Sequence, residues 1–177
     1  MICDKRGKAI KLGAVRPNVG IESAYCRKLF ALIRDMQASY VWFLRAQFRE
    51  TPPRMAKDET PANALRRELR NLGIRWERNF EEAAPKLAEY FAKSAANRSD
   101  AALRAILRKG GFSVKFQITP AMRDVMAATV NENVALIESI ASEYHTQVEG
   151  LVMRSVTEGR DLSGLTKELQ ERYGITR

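Results

Sequence analysis

Histidine and cysteine are nearly missing from this chain of 177 residues, which carries one histidine, His145, and two cysteines, Cys3 and Cys26. A single imidazole cannot build a two-histidine zinc site or most acid/base dyads. Two thiols far apart in sequence make neither a disulfide scaffold nor a CxxC metal half-site, so they read as a terminal thiol and a small helix residue. Long apolar runs are lacking too: the longest, Leu29 to Ile33 and Tyr40 to Leu44, fall far short of the roughly 20 residues a membrane span requires. The basic start, Met1 to Lys8, leads into no apolar core of a secretory signal, so the expected setting is a cytosol, with no membrane partner. Around Gly110-Gly111 the phosphate-loop spacing is absent, and the pair reads as a helix terminator. Glu81-Glu82, and Glu132 with Glu138, form no carboxylate motif, and no nucleophile has a base beside it. The sequence thus offers no catalytic residue, metal ligand or cofactor site, and His145, beside Tyr144, reads as a partly exposed helix residue.

What is present is a folded-chain composition, 45% hydrophobic and 29% charged, at about the length of one domain. Thirty Lys and Arg against 21 Asp and Glu give a net charge of +9, which attracts polyanions. The excess is uneven. Residues 1–60 and 61–118 each carry 12 basic and 6 acidic groups, whereas 119–177 carry 6 and 9. One part is suited to lie near nucleic acid while the remainder meets protein.

Helical periodicity dominates. An extended segment, 1–20, ends in the turn formers Arg16-Pro17-Asn18-Val19-Gly20. Leu29, Ile33, Met36, Tyr40 and Phe43 then mark the inner stripe of a helix from about Glu22 to Glu50. Thr51-Pro52-Pro53 stops it and opens a linker over 51–61, after which Thr60-Pro61 starts a second helix with Leu65, Leu69, Leu72, Trp76 and Phe80 on one face. Pro85 is expected to kink or break that run before Leu87, Tyr90 and Phe91. Ser99-Asp100 is expected to cap a separate short helix ending at Gly110-Gly111.

The period then changes to two. Phe112, Val114, Phe116 and Ile118 alternate with Ser113, Lys115 and Gln117, predicting a strand over 112–118, paired with Lys8 to Val15 or with another chain. Thr119-Pro120 begins a long helix through Met126, Val130, Val134, Ile137, Ile140, Tyr144, Val148, Leu151 and Val156, closed by Gly159. Such a helix cannot bury its whole length in a 20.0 kDa globule, so one end is expected to project or to pack on a neighbour. Asp161-Leu162-Ser163 caps a last helix with Leu165 and Leu169 inward, and Ile175-Thr176-Arg177 reads as the beginning of one more, which suggests a fragment. The expected fold is mainly α: an extended bundle with long helices and one short strand pair or lone strand. Its regions are the extended 1–20, a basic helical 21–109, and 110–177, together one structural unit.

Two basic clusters are candidate nucleic-acid contacts. On the second helix, Arg66, Arg67, Arg70 and Arg78 share the solvent face, though Glu77 and Glu81 fall within the same stripe and partly neutralise it. Arg104, Arg108, Lys109 and Lys115 have no acid between them and suit phosphate somewhat better. Candidate protein-interface residues are Phe112, Val114, Phe116 and Ile118 of the strand, with Val148, Leu151 and Val152 of the long helix.

The order of several segments resembles a known family. Gly110-Gly111-Phe112-Ser113-Val114-Lys115-Phe116, then Thr119 to Ile140 with Asn131-Glu132-Asn133-Val134 and Leu136-Ile137, then Gly150-Leu151-Val152 and Gly159-Arg160-Asp161-Leu162, resemble phage head morphogenesis proteins of the Mu F-like minor head protein family. Arg16-Pro17-Asn18-Val19-Gly20-Ile21-Glu22-Ser23-Ala24-Tyr25 is similar to the start of such proteins. The resemblance covers most of the chain but rests on helical patterns, and it carries over no catalytic residue. It implies a minor structural protein of a phage or prophage head, made in the host cytoplasm. Its implied partners are the portal, other head proteins, sister copies and packaged DNA. The alternative reading is a helical module that binds nucleic acid without sequence preference.

Overall fold

The computed structural model describes residues 12–50, 60–115, 117–159 and 162–173. Four helices follow one another: α1 (Val19–Glu50), α2 (Thr60–Lys109), α3 (Pro120–Thr157) and α4 (Leu162–Tyr173). Among the described residues there is no β-strand. Helix starts follow local chemistry. The Asn18 side chain accepts from the amides of Gly20 (2.9 Å) and Ile21 (3.2 Å), so α1 begins a little before Glu22. Thr119 does the same for α3, accepting from the Met122 amide at 3.2 Å with Pro120 in the first turn.

α2 is one helix of 50 residues, which corrects two expectations. Pro85 lies inside it on an exposed position, where the carbonyl its ring leaves without a donor can turn to water. Ser99-Asp100 does not cap a new helix; Asp100 instead holds Arg104 one turn on, at 2.8 and 3.0 Å. The helix ends as expected, in a left-handed Gly111 (φ +84°). Phe112 N–H donates to Leu107 and Gly111 N–H to Arg108, a closure that sets Phe112 beside the last turn.

The expected strand over 112–118 is absent for the same reason. Phe112 is half-buried as part of the helix closure, Ser113, Val114, Lys115, Gln117 and Ile118 are exposed, and Phe116 lies outside the described residues. Of its proposed partner, Lys8 to Lys11 lie outside the described residues, and Leu12 reaches the end of α2 instead, its Cδ2 3.1 Å from where a Gly110 Cβ would stand. Two apolar side chains cover a helix terminus rather than pairing as strands. The rest of the linker expected over 51–61, up to residue 59, together with Cys3, Arg160, Asp161 and Ile175 to Arg177, also lies outside the described residues.

The three long helices run antiparallel in sequence order. Tyr25 of α1 stacks on Phe91 of α2 (ring centroids 4.8 Å), while Arg66 and Gly73 of α2 meet Glu149 and His145 of α3. One core joins all four helices: Met36, Tyr40 and Leu44; Leu65, Leu69, Leu72, Phe80, Ala84 and Ala88; Ile137, Ala141, Tyr144, Val148, Leu151 and Val152; Leu165 and Leu169. These are mostly the rows expected from periodicity, joined by the small residues Ala84, Ala88 and Ala141, which let α2 and α3 approach closely. The core occupies one end of the molecule. On α3 burial begins at Ile137, and the preceding turns leave Met122, Val125 and Leu136 exposed. At about 1.5 Å per residue α2 is roughly 75 Å long, so α2 and α3 continue past the core as an arm.

Candidate functional site

The densest polar grouping lies where α1, α2 and α3 meet. Tyr40 is fully buried, and its ring meets Tyr144 edge-on at 5.3 Å. Its hydroxyl lies 3.0 Å from Nδ1 of His145. On the other side of the ring, Nε2 is 3.6 Å from Glu149, whose second oxygen faces Arg66 Nε at 3.4 Å and Arg70 Nε at 3.7 Å. A carboxylate only accepts, which places the proton of a neutral His145 on Nε2 and leaves Nδ1 to accept from the Tyr40 hydroxyl. Burial, with smaller contributions from Tyr144, Glu77 and Glu149, pushes the Tyr40 hydroxyl well above the ordinary tyrosine value. The donor therefore keeps its proton.

Gly73 makes this geometry possible. A Cβ built there would sit 2.7–2.8 Å from three atoms of the His145 ring, so only glycine lets the imidazole lie flat on α2. His145 is a partly exposed helix residue, as expected, its side chain 13% exposed, and it also links three helices. Sequence reasoning missed Glu149 and Gly73. A glycine inside a helical row, next to Leu69, Leu72 and Trp76, is the signal that pointed to a close approach. Chemically, the array fastens helices: both imidazole nitrogens face partners, and among the described residues no buried side-chain polar atom lacks a hydrogen bond.

Tyr40→Phe is expected to cost about 1 kcal/mol by leaving Nδ1 without its donor. It should also change the alkaline limb of stability. A tyrosine raised in the fold stabilises fully below its unfolded value of 10.0 and loses that contribution as pH climbs above it. Thermal melts from pH 8 to 11 should therefore fall more steeply for the parent than for Tyr40→Phe.

The nucleic-acid candidates separate on inspection of their partners. Arg66 and Arg70 turn to Glu149 of α3, rather than to Glu77 and Glu81 as the helical wheel suggests; Arg67 pairs with Glu68 and Arg104 with Asp100. Arg78, Arg108, Lys109 and Lys115 are exposed, with no ion pair among the described residues. Arg108 and Lys109 are in the last turn of α2, and Lys115 lies in the segment that follows it. Of the protein-interface candidates, Val148, Leu151 and Val152 point into the chain's own core and offer no outer surface, whereas Val114 and Ile118 are exposed.

Among the described residues no three His, Cys, Asp or Glu side chains converge to hold a metal ion. No described helix is long and apolar enough to cross a membrane. No family model, curated protein or solved structure matches the chain.

Proposed function

We propose that this chain is a non-enzymatic assembly protein of a phage or prophage head that works through its helix surfaces. One observation carries the reading: the α3 half of the arm holds an apolar row that no described part of the chain covers. Met122, Val125 and Leu136 are 52, 67 and 60% exposed, and their spacing of 3 and 11 residues keeps them on one side of α3, with Ile118, 61% exposed, just ahead of the helix start. Such a row on a projecting helix suits a groove or a facing helix of another protein. In this role the partner is the portal or another head protein, with sister copies as the alternative occupant. The resemblance of the segments around Gly110, Asn131 and Gly159 to Mu F-like minor head proteins supports the choice of system.

Met122→Glu with Val125→Glu is the test. These side chains are exposed, so stability should stay within about 0.5 kcal/mol of the parent's. Co-sedimentation with the portal protein of the same phage should fall to background. Portal binding by the double variant at parental strength, or none by the parent, would end this reading.

A second reading, sequence-independent nucleic-acid binding, is favoured by Arg108 and Lys109 at the arm's tip and Lys115 just after it, which have no carboxylate partner among the described residues. Replacing all three with alanine should lower duplex retention and flatten its salt dependence by roughly 0.9 for each phosphate no longer neutralised.

A further inference from the structure

The outer face of α1 is another exposed charged surface, and its residues belong to neither of the two basic clusters on α2 and its end. Arg27, Arg34 and Arg45 are exposed, and at 100° per residue they fall within about 20° of one another. They form a straight row about 27 Å long at 1.5 Å per residue. None of the three has an ion-pair partner among the described residues, unlike Arg66, Arg67, Arg70 and Arg104. No acidic position of α1 comes closer to the row than about 80° around the helix. Lys28 is turned aside, its ammonium 3.8 Å from the centre of the Tyr90 ring. Beside the arginines stands Trp42, 73% exposed. The helix already buries Met36, Tyr40 and Leu44 on its opposite face, so the fold itself gives this indole nothing to do.

We propose that this face of α1 binds single-stranded nucleic acid, with Arg27, Arg34 and Arg45 on separate phosphates spaced along the strand and Trp42 stacked on a base. Charge complementarity selects a polyanion, because the row is basic and uninterrupted. The indole selects one whose bases are accessible, since every base offers a ring face and a duplex hides it. An anionic membrane is the poorer fit: interfacial helices present a broad apolar face, whereas here the arginine row separates Trp42 from Phe30, the 43% exposed aromatic on its other flank. The proposal rests on the nucleic-acid reading of the function and assigns it a surface distinct from the arm's tip.

The test uses the full chain and a fluorescent oligo-dT strand, followed by anisotropy over a salt series. Trp42→Ala should weaken dT binding about tenfold while leaving duplex binding unchanged. Arg34→Ala with Arg45→Ala should weaken both and reduce the salt slope for dT by about 1.4, at 0.7 per phosphate released. All three positions are exposed, and unchanged circular dichroism melts confirm that the variants fold. Parental dT affinity in Trp42→Ala would overturn the proposal. So would binding to phosphatidylserine vesicles without binding to dT. Loss of binding confined to the Arg108, Lys109 and Lys115 triple variant would leave the arm's tip as the contact and remove α1. Absence of all binding by the parent would remove both.

Discussion

Phe80→Ala is expected to cost about 3–5 kcal/mol, the range for removing a fully buried aromatic side chain when its surroundings cannot close the gap. Phe80 is 0% exposed, and the antiparallel pairing that sets Gly73 on His145 brings it level with Ile137 and Ala141. Ala84, Ala88 and Ala141 already hold α2 and α3 close, so the backbones have little room to move inward. A chain of this length should lose roughly 10 °C of melting temperature. Leu136→Ala is the contrast: on the exposed side of α3 it should change stability by less than about 0.5 kcal/mol. Equal effects of the two substitutions would mean that the burial assigned to each is wrong.

Gly73→Ala is the second large effect, and its sign is the informative part. In an ordinary helix interior the change stabilises by about 1 kcal/mol. Here the new methyl meets Cγ, Nδ1 and Cε1 of His145 at 2.7–2.8 Å, and the ring cannot step aside without leaving Tyr40 and Glu149. Overpacking of this kind costs about 1–3 kcal/mol, so the net result should be a loss. With His145→Ala already in place the obstacle is gone, and the same Gly73→Ala should become neutral or stabilising. A double-mutant cycle should therefore give a coupling above about 1 kcal/mol. Additive effects would show that the imidazole does not rest on Gly73.

The rows that build the core were legible because helical period is a local property. Leu65, Leu69, Leu72 and Phe80 announce their face within a few turns, and Thr119-Pro120, Gly111 and Gly159 mark termini through chemistry confined to adjacent residues. Alternation over Phe112 to Ile118 is equally local, yet a strand requires a partner. Without one, Phe112 serves the end of α2. Propensity alone makes Pro85 and Asp100 look like breaks, but an exposed carbonyl can be hydrated and a carboxylate can hold Arg104 as readily as cap a helix.

The polar array was not legible at all. Tyr40 and His145 are 105 positions apart, and only the register of three packed helices brings them together. The same register takes Arg66 and Arg70 out of the basic surface by giving them Glu149. Once they are removed, the arginines of α1, without an ion pair among the described residues, stand out, although their sequence spacing was visible from the start.

α2 and α3 extend beyond their shared core, and every role proposed for the arm depends on that extension. Small-angle scattering from the purified chain, collected directly off a sizing column, measures it. An unbroken α2 predicts a maximum dimension of at least about 75 Å. A radius of gyration near 16 Å, the value for a compact domain of about this length, would contradict it.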